Sequence, residues 1–472
     1  MSTVHPSWPD LLTWLSRHGM DVSAENLPVE ARSSYGSAGY GLFAHHSIEP
    51  GTQLFSVPAT ALLNSLTLAP HYPRAVPKLT CVQAVSLHLL LHRPKNCSGC
   101  PEPLFGPYIS VLPQDFDSHP LTWLWKDEKS HSLALESQLI SALPSQVQCK
   151  LRKSFIRFET DWKRVQCYLE RNPTLLRGRQ AKINAIDSME EDYLWAWLNV
   201  NTRCVYHRLT KSPSDPDNMT LCPILDFANH SPRPPYTIPK PIQAELRDTA
   251  PSSKKTFGEN FVLLSPSTTI TPSDTELFLK YGAHSNSTLF TEYGFMTDLS
   301  VGGRAGGEAE LDGIIAALFN SRGSLGSWMK EILVVEGYWG DWTIHSDPNP
   351  AHPSYRLITT LRLYHLFSLP SDTIPPNAEE RLEDWRNTTF GKQDIISKDN
   401  EALWRSTLMD ICKNMIQEAQ VGIMSIGKIG LGVMSTLPEW ADSAKSFVEM
   451  LWKEEYDVCS LVIESLEKNE QF

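Results

Sequence analysis

The sequence predicts an α+β chain in which small strand-rich segments alternate with long helical blocks. Three observations predict it. Brief apolar runs bounded by glycine and proline occur at about residues 33–64 and again at 222–278, the pattern of short strands joined by tight turns. Between them, from about 75 to 200, apolar residues recur at helical spacing. The same spacing returns from 303 to 472. At 472 residues the chain is too long for one ordinary core, so two domains, or one with a large insertion, are expected.

Taken in order, Trp8, Leu11, Leu12, Trp14 and Leu15 share one face, so residues 1–32 are expected to hold a short helix. In the next segment Gly39-Tyr40-Gly41 breaks the chain, Leu42-Phe43-Ala44 and Gln53 to Val57 read as strands, and Glu49-Pro50-Gly51 marks a turn. The helical block carries apolar stripes over Cys81 to Leu91, Leu133 to Leu143, Val165 to Leu169 and Tyr193 to Val200, with Trp123, Trp125, Trp162, Trp195 and Trp197 as expected core. Strand character from Cys222 to Phe278 is interrupted by a polar, proline-rich stretch, Pro232 to Lys255, that reads as an exposed loop. A domain boundary is expected near Val301 to Gly307, where four glycines cluster, followed by amphipathic stripes at Leu311 to Phe319, Tyr355 to Phe367, Leu403 to Ala419 and Ala441 to Leu466.

Composition narrows the function classes. No run of eighteen apolar residues occurs, and the N-terminus has neither a basic nor an apolar leader region, so neither a membrane span nor secretion is expected. Nine cysteines, an odd number scattered along the chain, fit a reducing compartment, cytoplasmic or nuclear. Cys97-Ser98-Gly99-Cys100 is the only close pair and lacks partners at zinc-finger spacing, so no metal is expected. A net charge of −12 repels phosphate backbones and favours a basic protein partner over nucleic acid. A monomer is expected.

Four blocks carry chemistry. Gly39-Tyr40-Gly41 by itself is an ordinary turn, although glycine there also lets a backbone approach a ligand closely. Asn201-Thr202-Arg203-Cys204-Val205-Tyr206 closes a helical stripe; its arginine is either a solvated helix end or a bidentate partner for a carboxylate. Leu221 to Ser231 contains Pro223-Ile224-Leu225-Asp226-Phe227-Ala228-Asn229-His230-Ser231, and about fifty residues later come Tyr281-Gly282-Ala283-His284-Ser285-Asn286 and Glu292-Tyr293-Gly294-Phe295. Alone, Asn-His could be a turn and the tyrosines could be packing residues. In this order, the blocks resemble the signature of SET-domain protein methyltransferases. The helical insert before Arg203 and the helical C-terminal region are similar to the Rubisco large-subunit methyltransferase-like group, which includes yeast ribosomal-protein lysine methyltransferases.

The resemblance implies a SET-domain β-fold of small sheets with a pseudoknot over residues 33–302, a helical insert at about 75–200, and an all-helical substrate-binding domain at 303–472. It implies S-adenosylmethionine as cofactor, with backbone contacts from Ala38, Gly39 and Tyr40. Arg203 is expected to pair with the cofactor's carboxylate, Asn229 and His230 to meet its amino-acid and adenine portions, and Asn286 and Phe295 to close around it. Tyr281 and Tyr293 are the expected catalytic residues, the first with its hydroxyl beside the transferred methyl. Thr202, Val205, Asp226 and Tyr293 are expected to line the lysine channel. Ala38 stands where relatives often carry an acid, and Val205 is smaller than the aromatic residue common there, so the number of methyls added stays open.

The implied activity is protein-lysine N-methylation of a ribosomal protein, translation factor or histone. Two alternatives stay open: an inactive SET module that binds a basic partner, which would not need an intact cofactor site, and a protein-histidine N-methyltransferase, which would need a hydrogen bond to fix one imidazole tautomer. A lysine nucleophile must be neutral, against an ordinary pKa of about 10.4, and an apolar channel beside a sulfonium lowers that value without a dedicated base.

Overall fold

The computed structural model describes residues 3–33, 39–94, 99–129, 135–176, 186, 188–246, 256–299, 306–367, 373–430 and 437–472. The expected boundary near 301–307 and the cysteine Cys97 fall wholly or largely outside the described residues. The chain forms two compact units: Met1–Asp117 with Ser154–His284, and Ser118–Lys153 with Ser285–Phe472. No helix among the described residues is long and apolar enough to cross a membrane.

In the first unit, the expected N-terminal helix runs Trp8–Arg17 and buries Trp8, Leu11, Trp14 and Leu15. Nine short strands follow among the described residues: β1 (Val29–Ser33), β2 (Tyr40–Ala44), β3 (Gln53–Val57), β4 (Val205–Tyr206), β5 (Met219–Thr220), β6 (Asn229–His230), β7 (Ile238–Pro239), β8 (Phe261–Leu264) and β9 (Glu276–Leu279). They form three small sheets, ordered β1-β2-β9-β6, β3-β8-β7 and β4-β5. Alternation sets which side is inside: Val29 and Ala31 are buried while Glu30 and Arg32 lie less covered between and beside them. Among the described residues every pairing in this unit is antiparallel except β6 with β9, where Asn229 faces Phe278 and His230 faces Leu279 in parallel register. That one parallel pair carries the Asn-His motif to the strand that leads into Tyr281, across nearly fifty residues of sequence.

Two helices of the insert form this unit's helical core. Cys81–His92 starts at a capping box between Thr80 and Gln83 and is apolar nearly all round, as befits a central helix. Glu190–Arg203 buries every residue from Tyr193 to Val200. Its indoles find partners: Trp195 Nε1 donates to the Pro113 carbonyl at 2.8 Å and Trp197 Nε1 to Asp161 at 2.9 Å, while Tyr193 stacks on Trp162 at 4.8 Å. Of the five tryptophans expected in the core, four are buried and Trp125, in the second unit, is only half-buried.

The second unit contains Pro120–Lys129, Leu135–Ala142, Asn286–Tyr293 and a run of helices ending in the long pair Lys398–Ile426 and Trp440–Glu467. It is not wholly helical. Strands β10 (Glu308–Glu310), β11 (Thr343–His345) and β12 (His352–Pro353) make an antiparallel sheet beneath Leu311, Trp342 and Leu357 in one apolar core. Strands of two or three residues leave no period to read, which is why the sequence pattern points to helices alone.

At Gly422 the two long helices leave no room for a side chain. A Cβ there would lie 2.3 Å from the Trp452 ring, and that indole is held by a hydrogen bond to the Ala142 carbonyl at 2.8 Å. Gly422→Ala is therefore expected to destabilise by about 1 kcal/mol, an overpacking cost of about 2 kcal/mol outweighing a helix-propensity gain of about 1 kcal/mol. A urea midpoint equal to or above that of the wild type would refute this packing account.

Candidate active site

The helix Glu190–Arg203 delivers Arg203 at its end, where Cys204 turns the backbone extended. Arg203 Nη1 donates to the Asp226 carbonyl at 2.8 Å. Its Nε is buried and has no hydrogen-bond partner among the described residues. An orphaned guanidinium donor is costly unless something completes it, and a carboxylate suits its geometry.

Asp226 follows a strained turn: Ile224, a buried β-branched residue, sits at φ 70° and ψ −48°, a conformation that costs on the order of 1–3 kcal/mol. The residue is part-exposed, but carboxyl Oδ1 is sealed from solvent and without a partner among the described residues. Oδ2 accepts the hydroxyl of Tyr108, a fully buried side chain from the helical insert. Burial pushes the Asp226 carboxyl up to about 7, against the downward pull of the Arg203 charge and the Tyr108 hydrogen bond. Burial likewise raises the Tyr108 phenol well above its ordinary value, with the Asp226 charge adding to it.

That shift has a sign that stability can report. With its pKa raised, Asp226 keeps its proton in the folded chain where the unfolded chain has lost it, so its contribution is greatest below about pH 4 and is lost as pH rises through about 7. Glu454 and Glu455 in the second unit, raised by burial to about 7 and about 8, act in the same sense. Asp226→Asn is expected to flatten, by up to a few kcal/mol, the fall in stability between about pH 5 and about pH 8. Urea midpoints at both pH values would test it; an unchanged slope would show that Asp226 is not held protonated.

Asn229 and His230 occupy β6. Asn229 Nδ2 donates to Glu276 Oε1 at 2.7 Å and to the Tyr40 carbonyl at 3.3 Å. Gly41 permits this: a Cβ there would lie 2.3 Å from Glu276 Oε1. At Gly39, by contrast, a Cβ would meet no atom within 4 Å. His230 Nδ1 accepts the Tyr281 backbone N–H at 3.2 Å, and its ring also hydrogen-bonds the Leu279 backbone. Burial lowers the His230 pKa. The Tyr281 hydroxyl donates to the Ala228 carbonyl at 3.0 Å, and its ring lies 5.2 Å from that of His230.

Thus Gly39, Tyr40, Thr202, Arg203, Val205, Asp226, Asn229, His230 and Tyr281 belong to the first unit, and hydrogen bonds join Tyr40 to Asn229, Arg203 to Asp226, and His230 to Tyr281. Thr202 spends its hydroxyl on the Leu198 carbonyl, and Val205 lies half-buried in β4. Ala38 lies outside the described residues. Asn286, Tyr293 and Phe295 belong to the second unit. There Asn286 donates to the Thr297 carbonyl and to Glu454, and accepts from the Thr297 amide and hydroxyl. Tyr293 ends its helix against Gly294 in the left-handed region at φ 79°, its ring 6.1 Å from Phe295, and burial raises its phenol pKa. Tyr108 and Glu276 are the site residues that motif reading leaves without a role.

No family model matches the chain. It is 25% identical to SET domain-containing protein 4 of Mus musculus over 445 residues, 92% of this chain and 87% of that protein. It is 26% identical to a ribosomal lysine N-methyltransferase of Schizosaccharomyces pombe over 435 residues, 90% of this chain and 91% of that one. Among solved structures, the SET domain of LSMT bound to lysine and AdoHcy aligns with a TM-score of 0.63 at 19% identity, covering 99% of this chain and 92% of that one. The fold is a SET-domain fold. A second structure, Rubisco LSMT bound to sinefungin and monomethyllysine, superposes with a TM-score of 0.62 at 18% identity.

Proposed function

We propose that the protein is an S-adenosylmethionine-dependent protein-lysine N-methyltransferase. The observation that carries the reading is the junction made by β6 and β9, which ties Asn229 to Tyr40 and His230 to Tyr281 in a unit that also presents the orphaned Arg203 donor. The names of the similar proteins and the ligands named for the structural neighbours support it.

The residues present fit the cofactor. Arg203 Nε offers a buried, unsatisfied N–H to a carboxylate. When bound, S-adenosylmethionine supplies an electrophilic methyl group. The chain's own work is then to hold and exclude. Arg203 holds the carboxylate end, and Asn229 stays fixed by Glu276 and Tyr40. Tyr281, clamped through its hydroxyl and its amide, fixes the wall against which a lysine amine is aligned, and alignment of this kind is worth several kcal/mol.

The substrate is a basic segment of a ribosomal or translation-related protein, in keeping with the net charge of −12 and with the ribosomal methyltransferases among the similar proteins. Incubation of the protein with methyl-labelled cofactor and, separately, ribosomal proteins, translation factors and histones tests this choice. Label in the ribosomal or translation fraction is expected. Label confined to histones would reject the substrate class while leaving the lysine chemistry in place.

A further inference from the structure

Away from the candidate active site, the first unit brings together three side chains that ligate metals. The helix Cys81–His92 presents His88 and His92 one turn apart, and Glu102 reaches them from the loop that follows. One potential ligand atom from each lies within 4.8 Å of the others. His88 is 1% exposed and Glu102 6%, His92 is half-buried, and the two imidazole rings are 4.7 Å apart.

His88 is the decisive member. Its Nε2 is buried and makes no hydrogen bond among the described residues, and Glu102 Oε2 stands 3.8 Å off, beyond hydrogen-bond reach. Its Nδ1 lies 2.9 Å from the Tyr72 hydroxyl. With the proton on Nδ1 and shared with Tyr72, the Nε2 lone pair faces Glu102, the outer-sphere arrangement that orients metal-bound histidines. Glu102 is held in turn, accepting the backbone N–H groups of Leu104 and Phe105.

We propose that His88, His92 and Glu102 bind a divalent transition-metal ion, zinc by its donor set, and so pin the loop at 99–105 to the helix Cys81–His92. Two imidazole nitrogens and a carboxylate oxygen are zinc ligands, and a fourth position is left for water. At zinc–ligand distances of about 2.0–2.1 Å the donors of a tetrahedral site stand roughly 3.3 Å apart, so the group contracts on binding the ion. Glu102 binds the amide of Phe105, the residue that opens the helix Gly106–Ile109 carrying Tyr108. The metal therefore steadies the stretch that places the Tyr108 hydroxyl on Asp226. The spacing His88-x-x-x-His92 is visible in the sequence, but its third ligand is not adjacent to it.

The test uses the full chain, stripped with a chelator and titrated with Zn²⁺ alone by calorimetry. One equivalent is expected to bind. His92→Ala and Glu102→Gln should each weaken binding by at least about tenfold, and Tyr72→Phe by about tenfold through loss of the outer-sphere bond. Cys100→Ser should change nothing, its thiol being directed at the His92 carbonyl at 3.1 Å. Co²⁺ should give four-coordinate visible bands without a thiolate charge-transfer band. No uptake, a thiolate band, or wild-type affinity in both His92→Ala and Glu102→Gln would overturn the proposal. Because His92 is half-buried, its variant decides the matter even if a substitution at buried His88 fails to fold.

Discussion

Arg203→Ala is expected to weaken S-adenosylmethionine binding by roughly 30- to 140-fold, the equivalent of about 2–3 kcal/mol for a lost charge-assisted hydrogen bond in a sealed site. Arg203→Lys should lose less, because lysine keeps the charge while giving up the planar fork. The ordering follows from the geometry: Nη1 is used by the Asp226 carbonyl, and the buried Nε is the donor still to be completed. Removing the guanidinium also takes the balancing charge from beside the Asp226 carboxyl, so that carboxyl should titrate higher still. Calorimetric titration of both variants checks the ordering. Equal affinities for Arg203→Ala and wild type would remove Arg203 from the site.

Tyr281→Phe should lower turnover by about tenfold or more, about 1.4 kcal/mol of lost transition-state alignment, with cofactor affinity changed only slightly. The substitution keeps the ring that packs 5.2 Å from His230 and the amide that His230 accepts, and removes only the hydroxyl donated to the Ala228 carbonyl. A structural role alone would instead show as a lower melting temperature with the rate per folded molecule unchanged. Full turnover in the phenylalanine variant would pass the catalytic assignment to Tyr293.

The parts of this site that lie side by side in sequence can be read from it. Asp226, Asn229 and His230 occupy one short stretch, and Arg203 closes a helix marked by the nearly continuous apolar run from Tyr193 to Val200. Nothing local announces Tyr108, which meets Asp226 from 118 residues upstream, or Glu276, which meets Asn229 from 47 residues downstream. Such partners are selected by the three-dimensional path of the chain, and a long-range hydrogen bond imposes no period on the residues around it. The sheet β10-β11-β12 escapes for a different reason, being shorter than the window in which alternation can be recognised. Gly41 lies between these cases: the sequence reads it as a turn, whereas it sits inside β2, and its necessity, room for the Glu276 carboxylate, appears only once β2 is paired with β9.

The central claim, transfer of a methyl group to lysine by this site, is tested most directly by identifying the amino acid that receives it. Protein incubated with methyl-labelled S-adenosylmethionine and a ribosomal-protein fraction would be hydrolysed in acid and the labelled amino acids separated, with Arg203→Ala run in parallel. The predicted result is label in ε-N-methylated lysine, made by the wild type and strongly reduced in the variant. Label in methylhistidine, or no transfer to any basic protein fraction by a chain that binds the cofactor normally, would contradict it.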